Sequence, residues 1–266
     1  MRVLVVGAGI AGSSFARLGA EAGLDVTVVA DPRLVRSSEA ALCVTRPSWF
    51  AGQALEECEW TLDWYRGHGW LTDGIARYGS YRSAKVEDRP GYFAVDPVAP
   101  LVDPDILDDW RNVADDYDLR VLARGAHSDL DWRRQHGATT IVDSAGHALP
   151  LVAYHDRPRS VMFAVCHDGD TVRVGSSKAP TAEQAIERQQ RDYEKALALG
   201  LVSWIEPGHV GEASMISGVR LVPPKGVEPG ALRWLDDRTV AVEGFGRVGY
   251  SLAPAKMAAL VRQVTP

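Results

Sequence analysis

The amino-acid sequence predicts an α/β protein in which a domain with a mostly parallel sheet is interleaved with a smaller, mainly antiparallel domain. A strand–helix–strand pattern opens the chain, and apolar runs typical of strands buried on both faces recur in the middle and near the end. Between them lie segments whose alternating pattern is typical of antiparallel strands. No repeat or linker divides the 266 residues, so we expect both domains to be built from alternating segments.

The first predicted unit is βαβ. Residues 3–6 form a short apolar run that suits a strand buried on both faces. Residues 10–22 carry apolar side chains at helical spacing, Gly23 stops the helix, and residues 26–30 form a second buried strand. The order strand, helix, strand predicts a Rossmann-like domain.

The turn between the first strand and the helix has the pattern of a dinucleotide-binding loop. Gly7, Gly9 and Gly12 have the spacing GxGxxG. In this motif the first glycine allows a tight turn, the second lets the backbone approach a pyrophosphate, and the third lets the helix pack on the strand. The helix N-terminus adds unpaired N–H donors and partial positive charge. We therefore expect these glycines, Ile10 and Ala11 to bind a cofactor.

An acidic residue follows the second strand. Asp31 lies about 20 residues beyond the glycines, where a carboxylate accepts hydrogen bonds from ribose hydroxyls. With Pro32, it completes the predicted adenosine end of the site. These residues alone leave both NAD and FAD open as the ligand.

Further helices are predicted where apolar side chains recur at helical spacing, over residues 55–65, 103–117, 181–199 and 250–264. Asp103 is the predicted N-cap of the second of these, before Pro104. The last helix follows the stretch "EGFGRVGYSLAPAK", in which Ser251 is predicted to be the cap and Pro254 to lie in the first turn.

Composition disfavours several classes of function. The net charge of −6 and the pI of about 5.7 offer no strong field for nucleic acid or an anionic membrane, and no apolar run is long enough to span a bilayer. The seven histidines and three cysteines show no metal-ligand spacing, so no metal is expected. The cysteines are odd in number and far apart, which indicates a reducing, cytoplasmic compartment.

Several segments, in this order, resemble the D-amino acid oxidase family of FAD enzymes, which includes glycine oxidase and sarcosine oxidase. They are the βαβ unit, "GYFAVDP" (91–97), "VDSAG" (142–146), "SGVRLVPP" (217–224) and "GFGRVGYSLAPA" (244–255). The chain is shorter than typical members, mainly in its middle third. The resemblance implies that a hydride passes from the carbon beside an amine nitrogen to flavin N5, with oxygen as a candidate electron acceptor.

The resemblance also implies a division of the chain and roles for individual residues. Residues 1–75, 101–150 and 225–266 are assigned to the FAD-binding domain, and residues 76–100 and 151–224 to the substrate domain. Arg220 takes the place of the family's carboxylate-binding arginine, although Leu221 follows it where the family has proline. Arg247 matches an arginine of glycine oxidase-like members. With Tyr250, these arginines are the predicted catalytic residues.

The remaining implied contacts concern the flavin. Arg46 follows the second strand where the family passes the flavin ring, so it is predicted to bind cofactor and substrate. The other implied cofactor contacts are Ala145, Gly146, Gly244, Gly246, Gly249, Tyr250, Ser251 and Leu252. Asp31 stands where the family more often has glutamate. Noncovalent FAD is expected, because the C-terminal loop lacks the cysteine to which sarcosine oxidases attach it.

The predicted substrate is a small amino acid or secondary amine, with glycine or an N-substituted glycine favoured because two arginines are present for one carboxylate. One alternative is the same chemistry on a glycine-modified base of tRNA or phage DNA, which would use the basic stretches "DWRRQHG" and "HDRPRS". Another is an NAD(P)-binding or nonredox dinucleotide-binding protein. The candidate aromatic walls of a substrate pocket are Trp49, Tyr78, Tyr81 and Tyr92.

Overall fold

A computed structural model describes residues 1–31, 33, 36–80, 83–143, 152–156, 161–168, 171–175, 178–198 and 214–265. The side chains are described for these residues except at 75–80, 83–89, 143, 152–156, 161–168, 172, 195–198 and 243. Within this part, strands and helices form three sheets with helices packed against them.

The strands in chain order are β1 (Arg2–Val6), β2 (Asp25–Ala30), β3 (Val44–Thr45), β4 (Leu71–Ser80), β5 (Ser83–Val95), β6 (Asp105–Ile106), β7 (Leu119–Leu122), β8 (Arg133–Asp143), β9 (Val152–Asp156), β10 (Val161–Asp168), β11 (Thr171–Gly175), β12 (Ser214–Val222), β13 (Ala231–Asp236) and β14 (Thr239–Glu243). The α-helices are α1 (Ile10–Glu21), α2 (Gln53–Gly67), α3 (Ala182–Ala198) and α4 (Gly249–Val264). Short 3₁₀ helices span Pro47–Trp49, Trp110–Asp116 and Gly125–His127.

A six-stranded sheet holds the two ends of the chain together. Its order is β13-β14-β7-β1-β2-β6, and all neighbours are parallel except β13, which forms an antiparallel hairpin with β14. Val3, Leu4 and Val5 in β1 are fully buried, as expected for a central strand covered on both faces. The predicted βαβ unit is therefore confirmed.

Helices α1 and α4 cover one face of this sheet. Phe15 from α1 meets Met257 and Leu260 from α4 in a core that also includes Val3 and Val5. Leu4 and Val6 point to the other face, where the 3₁₀ helix Trp110–Asp116 covers them. Among the helices in the described residues, none has both the length and the apolar character needed to cross a bilayer.

Two antiparallel sheets form the rest of the described structure. The larger has the order β12-β8-β11-β10-β9, and the smaller has the order β3-β5-β4. Strand β8 differs from the expectation that the buried strands in the middle of the chain are parallel, because it pairs antiparallel with β11 and β12. Gln189 of α3 donates to Thr140 on one face of β8, while Thr139 donates to the Ala40 carbonyl on the other. Coverage of both faces gives β8 the composition of a buried parallel strand.

The helix predicted over residues 103–117 is wrong. Residues Asp105–Ile106 instead pair with β2 as strand β6, and the 3₁₀ helix begins after Asp109, whose side chain accepts from the Arg111 N–H at 3.1 Å. Ile106 is 58% exposed, so it shares no buried face with Trp110. The apolar residues at helical spacing therefore belong to two separate elements. The other three predicted helices are confirmed as α2, α3 and α4.

Candidate cofactor and substrate site

A continuous cavity of about 1170 Å³ connects the two glycine-rich turns of the chain. Residues 7–11, 218–221 and 244–251 all line this cavity, and Asp31 lies in the wall beyond β2. Ligand pockets are commonly roughly 300–1,000 Å³. The cavity therefore has room for a dinucleotide together with a small substrate.

The first turn brings backbone against backbone at two glycines. Gly7 has a φ of 111°, and a Cβ there would lie 2.4 Å from the carbonyl oxygen of Ala123 on the neighbouring segment. A Cβ on Gly12 would lie 1.9 Å from the Gly7 carbonyl oxygen. Gly12 therefore lies against the turn and outside the cavity wall, and its role is the close packing of α1 on β1.

The N-terminus of α1 opens into the cavity. Gly9 is the N-cap and has no side chain to cap the helix, and residues 9–11 line the wall. One donor of the first turn is taken, because the Ile10 N–H donates to Ser38 Oγ at 2.8 Å. Ser38 was not predicted, and its position 28 residues away in an irregular stretch gave no sequence signal. The helix end fits the phosphate oxygens of a dinucleotide.

Asp31 supplies an ionised carboxylate at the far end of the cavity. Its two oxygens accept from the Arg33 guanidinium at 2.8 and 2.7 Å, and the Arg33 N–H adds a bond of 2.9 Å. These bonds lower the pKa of Asp31 to about 2. At neutral pH the carboxylate is ionised and accepts hydrogen bonds from Arg33, and its contact with a ribose stays a prediction.

The N-terminus of α4 is also uncapped by side chains. Its N-cap is Val248, and the glycines that precede the helix include Gly244 and Gly246 with φ values of 68° and 56°. A Cβ on Gly249 would lie 3.2 Å from Ile10 Cγ2. The N-termini of α1 and α4 therefore meet at one cavity, where both sets of N–H donors could serve a single ligand.

Two expectations about α4 are corrected. Ser251 does not cap the helix, because it lies inside the first turn and its hydroxyl bonds with Thr45 Oγ1 at 2.6 Å. Pro254 is the sixth helical residue and lies in the second turn, since α4 already begins at Gly249. Ser251 still lines the cavity with its backbone close to the helix N-terminus.

Tyr250 and Leu252 were both expected to contact the cofactor, but only Tyr250 lines the cavity. Tyr250 lines the cavity, but its hydroxyl donates to the Pro97 carbonyl at 2.7 Å, and burial raises its pKa well above 10. The hydroxyl is thus neutral and held by the main chain. Leu252 is 1% exposed and packs with Cys58 and Leu62, outside the cavity wall.

Three cationic side chains line the cavity near the glycine loop: Arg220, Arg247 and Lys178. Burial and the charge of Arg247 lower the pKa of Arg220 to about 10, so it remains protonated at neutral pH. Burial and both arginines lower the pKa of Lys178. Among the side chains that the structure describes, none forms a hydrogen bond or ion pair with these three groups. Lys178 was missed because it belongs to no motif.

Comparison with known proteins bears on the fold. No protein-family model matches the chain, and no curated protein matches its sequence. Solved structures do match over its whole length. The iminodiacetate oxidase of Chelativorans sp. BNC1 has a TM-score of 0.64 at 16% identity, with 100% of this chain and 96% of that chain covered. The glycine oxidase of Bacillus cereus has a TM-score of 0.65 at 15% identity, covering 98% and 95%.

A third match is an FAD dependent oxidoreductase from Pseudomonas aeruginosa, with a TM-score of 0.59, 13% identity, and coverage of 98% and 89%. The chain has the fold of these oxidoreductases. The predicted fold class is confirmed, and so is the resemblance to the family that includes glycine oxidase, at the level of fold.

In this oxidoreductase fold, an aromatic wall lies beside the cations. Trp49 and Tyr92 both line the cavity, with ring centroids 6.0 Å apart in an edge-on arrangement. Arg46 lies behind them, outside the cavity wall; its guanidinium is 4.7 Å from the centre of the Tyr92 ring and donates to the Tyr92 hydroxyl at 3.2 Å. The Arg46 guanidinium therefore supports the Tyr92 ring, and its contact with cofactor or substrate stays a prediction.

Several sequence predictions lie outside the described residues. Pro32, Ala145, Gly146 and Tyr81 lie outside the described residues, as does the side chain of Tyr78. In the basic stretch at residues 131–137, the Arg134 guanidinium donates to the carbonyls of Ala126 and Ser128, which makes it part of the protein framework. Within the described residues, no group of three or more His, Cys, Asp or Glu side chains is arranged to hold a metal ion.

Proposed function

We propose that the protein is an FAD-dependent oxidoreductase that oxidises the C–N bond of an amino acid or a secondary amine. The observation that carries this proposal is the position of Arg220 and Arg247, which lack partners in the described structure and share one cavity with both helix N-termini. The related folds include proteins named for oxidation of glycine and iminodiacetate, which are amines with carboxylates.

The residues of the cavity fit a flavin dinucleotide. Residues 7–11 would hold the pyrophosphate at the N-terminus of α1, and Asp31 would accept from the ribose. Residues 246–250 would bring the N-terminus of α4 to the ring, where partial positive charge stabilises negative charge. Bound FAD would supply the hydride acceptor. Binding is noncovalent in this proposal; residues 244–251 contain no cysteine, and the Cys43 thiol in the wall donates to the Ala41 carbonyl.

The substrate end of the cavity is built to bind a carboxylate. A guanidinium can grip both oxygens of a carboxylate through parallel hydrogen bonds, and Arg220 is partly buried, so this contact is shielded from water. Arg247 adds a second charge from the glycine loop. Holding the carboxylate fixes the carbon beside the nitrogen relative to the cofactor, which is the geometric requirement for transfer. Glycine or an N-substituted glycine is the proposed substrate class.

The proposal is tested with the purified protein and anaerobic spectroscopy. A yellow protein, or one that takes up added FAD, is expected to lose its visible flavin absorbance on mixing with glycine or N-methylglycine. Arg220→Met and Arg247→Met should each raise the apparent KM by about tenfold or more, because each removes one of the two charged partners of the carboxylate, while FAD stays bound.

Arg262→Met is the matched control, because Arg262 is exposed in the last turn of α4. Its KM should equal that of the unmodified protein. A colourless protein that takes up no added FAD would contradict the proposed cofactor. Unchanged KM values in both cavity variants would contradict the carboxylate site.

A further inference from the structure

Lys178 is held in the wall by the backbone of the larger antiparallel sheet. Its neighbour Ala179 forms a bridge with His136 of β8, with hydrogen bonds of 3.0 Å in both directions. On the other side of β8, His136 faces Val219 of β12, the residue before Arg220. Main-chain hydrogen bonds thus fix both cations relative to the same strand, and their placement does not depend on a free loop.

Side-chain alternation puts Lys178 and Arg220 on one face of that sheet. Ala179 packs with Ala138 and Ala185 on the side covered by α3, so Lys178, one residue earlier, emerges on the opposite side. A Cβ on Gly218 would point towards Ala40, 3.0 Å from its Cβ. Arg220, two residues later in the same strand, lies on that face of the sheet. The two backbones are roughly 10 Å apart across β8, given the spacing of neighbouring strands. Two long side chains can close this gap onto one small molecule.

Arg247 approaches the same space from the other side. A Cβ on Gly246 would lie 3.4 Å from Pro223 and 3.7 Å from the Leu221 carbonyl oxygen, so the glycine loop runs along the end of β12. Burial and the charges of Arg247 and Arg220 lower the pKa of Lys178, in agreement with this placement.

The other arginines of the wall are paired with carboxylates of the protein. Salt bridges join Arg33 to Asp31, Arg36 to Glu39, Arg111 to Asp109, and Arg124 to Asp129. In the described structure, Lys178, Arg220 and Arg247 have no such partner. One substrate carboxylate would therefore balance one of three converging positive charges and leave two without a counter-charge; Lys178 and Arg220 are partly buried, whereas Arg247 is exposed.

From this imbalance we propose that the substrate carries two anionic groups and that Lys178 binds the second one, opposite the carboxylate held by Arg220. The substrate class is an N-carboxymethyl or dicarboxylic amino acid. The inference rests on the proposed function for the reaction, but the binding of a dianion is a property of these three side chains and can be measured separately.

The binding test uses two unreactive probes with the FAD-loaded protein in calorimetry at neutral pH and constant ionic strength. Malonate has two carboxylates and acetate has one. Malonate should bind about tenfold tighter or more, and Lys178→Met, which keeps the length of the side chain but removes its charge, should bring the ratio of affinities close to one. Lys178→Arg should restore most of the ratio. Lys225→Met changes an exposed lysine outside the cavity wall and should retain it.

The kinetic test compares iminodiacetate with N-(carbamoylmethyl)glycine, which has nearly the same shape and one carboxylate fewer. The ratio of kcat/KM should favour iminodiacetate by about tenfold or more and collapse in Lys178→Met. The reduction potential of the flavin should be the same in both proteins, since the lysine serves the substrate in this proposal. A shifted potential with an unchanged ratio would assign Lys178 to the cofactor and overturn the inference.

The two proposals fail in different ways. If sarcosine and iminodiacetate reduce the flavin equally well and malonate binds no tighter than acetate, amine oxidation stands and the dianion site is wrong. If malonate binds in a Lys178-dependent manner but no amine reduces the flavin, the dianion site stands and the proposed oxidation is wrong.

Discussion

Replacement of Gly12 by alanine should displace α1 and weaken cofactor binding. The added Cβ would lie 1.9 Å from the Gly7 carbonyl oxygen and 3.1 Å from Val5 Cγ1. Carbon–oxygen contacts in proteins are about 3.3 Å or longer, so helix and turn must separate by more than about 1 Å. Both atoms at the closest contact belong to rigid backbone regions, and no rotamer change can relieve it.

The expected cost has two parts. Overpacking of this kind typically costs about 1–3 kcal/mol of stability, and the upper part of that range is expected because the clash is with a main-chain oxygen. The same movement shifts the first turn of α1, which lines the cavity. A displacement of about 1 Å can cost a positioned interaction up to a hundredfold, so the FAD dissociation constant should rise by about tenfold or more.

Gly67→Ala is the matched control, because Gly67 ends α2 and a Cβ there would meet nothing within 4 Å. The same chemical change should therefore leave FAD binding unaltered and stabilise the protein by about 0.4–1 kcal/mol. Urea unfolding of the FAD-free protein and a fluorescence titration with FAD measure the two effects. If Gly12→Ala unfolds at the same urea concentration as the unmodified protein and binds FAD equally well, the close contact between turn and helix does not exist.

Two further variants test buried and exposed contacts of the site. Thr45→Val removes one partner of the 2.6 Å hydrogen bond to the buried Ser251 hydroxyl, so the free energy of unfolding should fall by about 1–3 kcal/mol. In urea unfolding, the double variant with Ser251→Ala should lose less stability than the sum of the two single variants. Additive losses would argue against the hydrogen bond. Arg33→Gln should raise the pKa of Asp31 from about 2 towards 3.8 in a carboxyl NMR titration, because the side-chain hydrogen bonds of Arg33 lower that pKa. The ion pair stabilises the fold at pH values above the pKa of Asp31 in the unfolded chain, and this contribution is lost as the pH falls through about 2. Arg111→Gln, which breaks a separate ion pair, should leave the Asp31 titration unchanged.

The parts of the fold that could be predicted are those specified by local pattern. The buried run of β1, the glycine spacing and the helical period of α1 all lie within about twenty residues, so they could be identified together. Helix α4 could be predicted in the same way, because glycines directly precede a segment with apolar residues at helical spacing. The parallel pairing of β1 with β2 follows from these local signals and the usual geometry of βαβ units.

The predictions for β8 and for residues 103–117 were wrong because the same sequence pattern is compatible with two different structures. Thr139 and Thr140 of β8 are both fully buried on opposite faces, which gives an antiparallel strand the composition of a parallel one. Ile106 and Trp110 have helical spacing but lie in a strand and a 3₁₀ helix. Composition alone does not distinguish these cases, because the partners that decide them come from elsewhere in the chain.

Residues of the site could likewise be predicted only where a local motif contains them. The glycines of both loops were identified by sequence spacing, whereas Ser38 and Lys178 reach the cavity through contacts with distant segments. Arg46 was placed in the site because it follows the second strand, yet its guanidinium is taken by Tyr92. The direction in which a side chain points depends on neighbours that a motif does not include.

The packing of α1 against α4 has a consequence for the synthesis of the chain. Thr45 and Ser251 are 206 positions apart, and Phe15 is covered by Met257 and Leu260. At about 5–20 residues per second, the first segment waits about 10–40 seconds on the ribosome before its covering helix has been made. During that interval an apolar surface is exposed, and the cavity lacks the wall that α4 provides. We therefore expect the nascent chain to depend on chaperones and to acquire its ligand only after synthesis of residues 249–264.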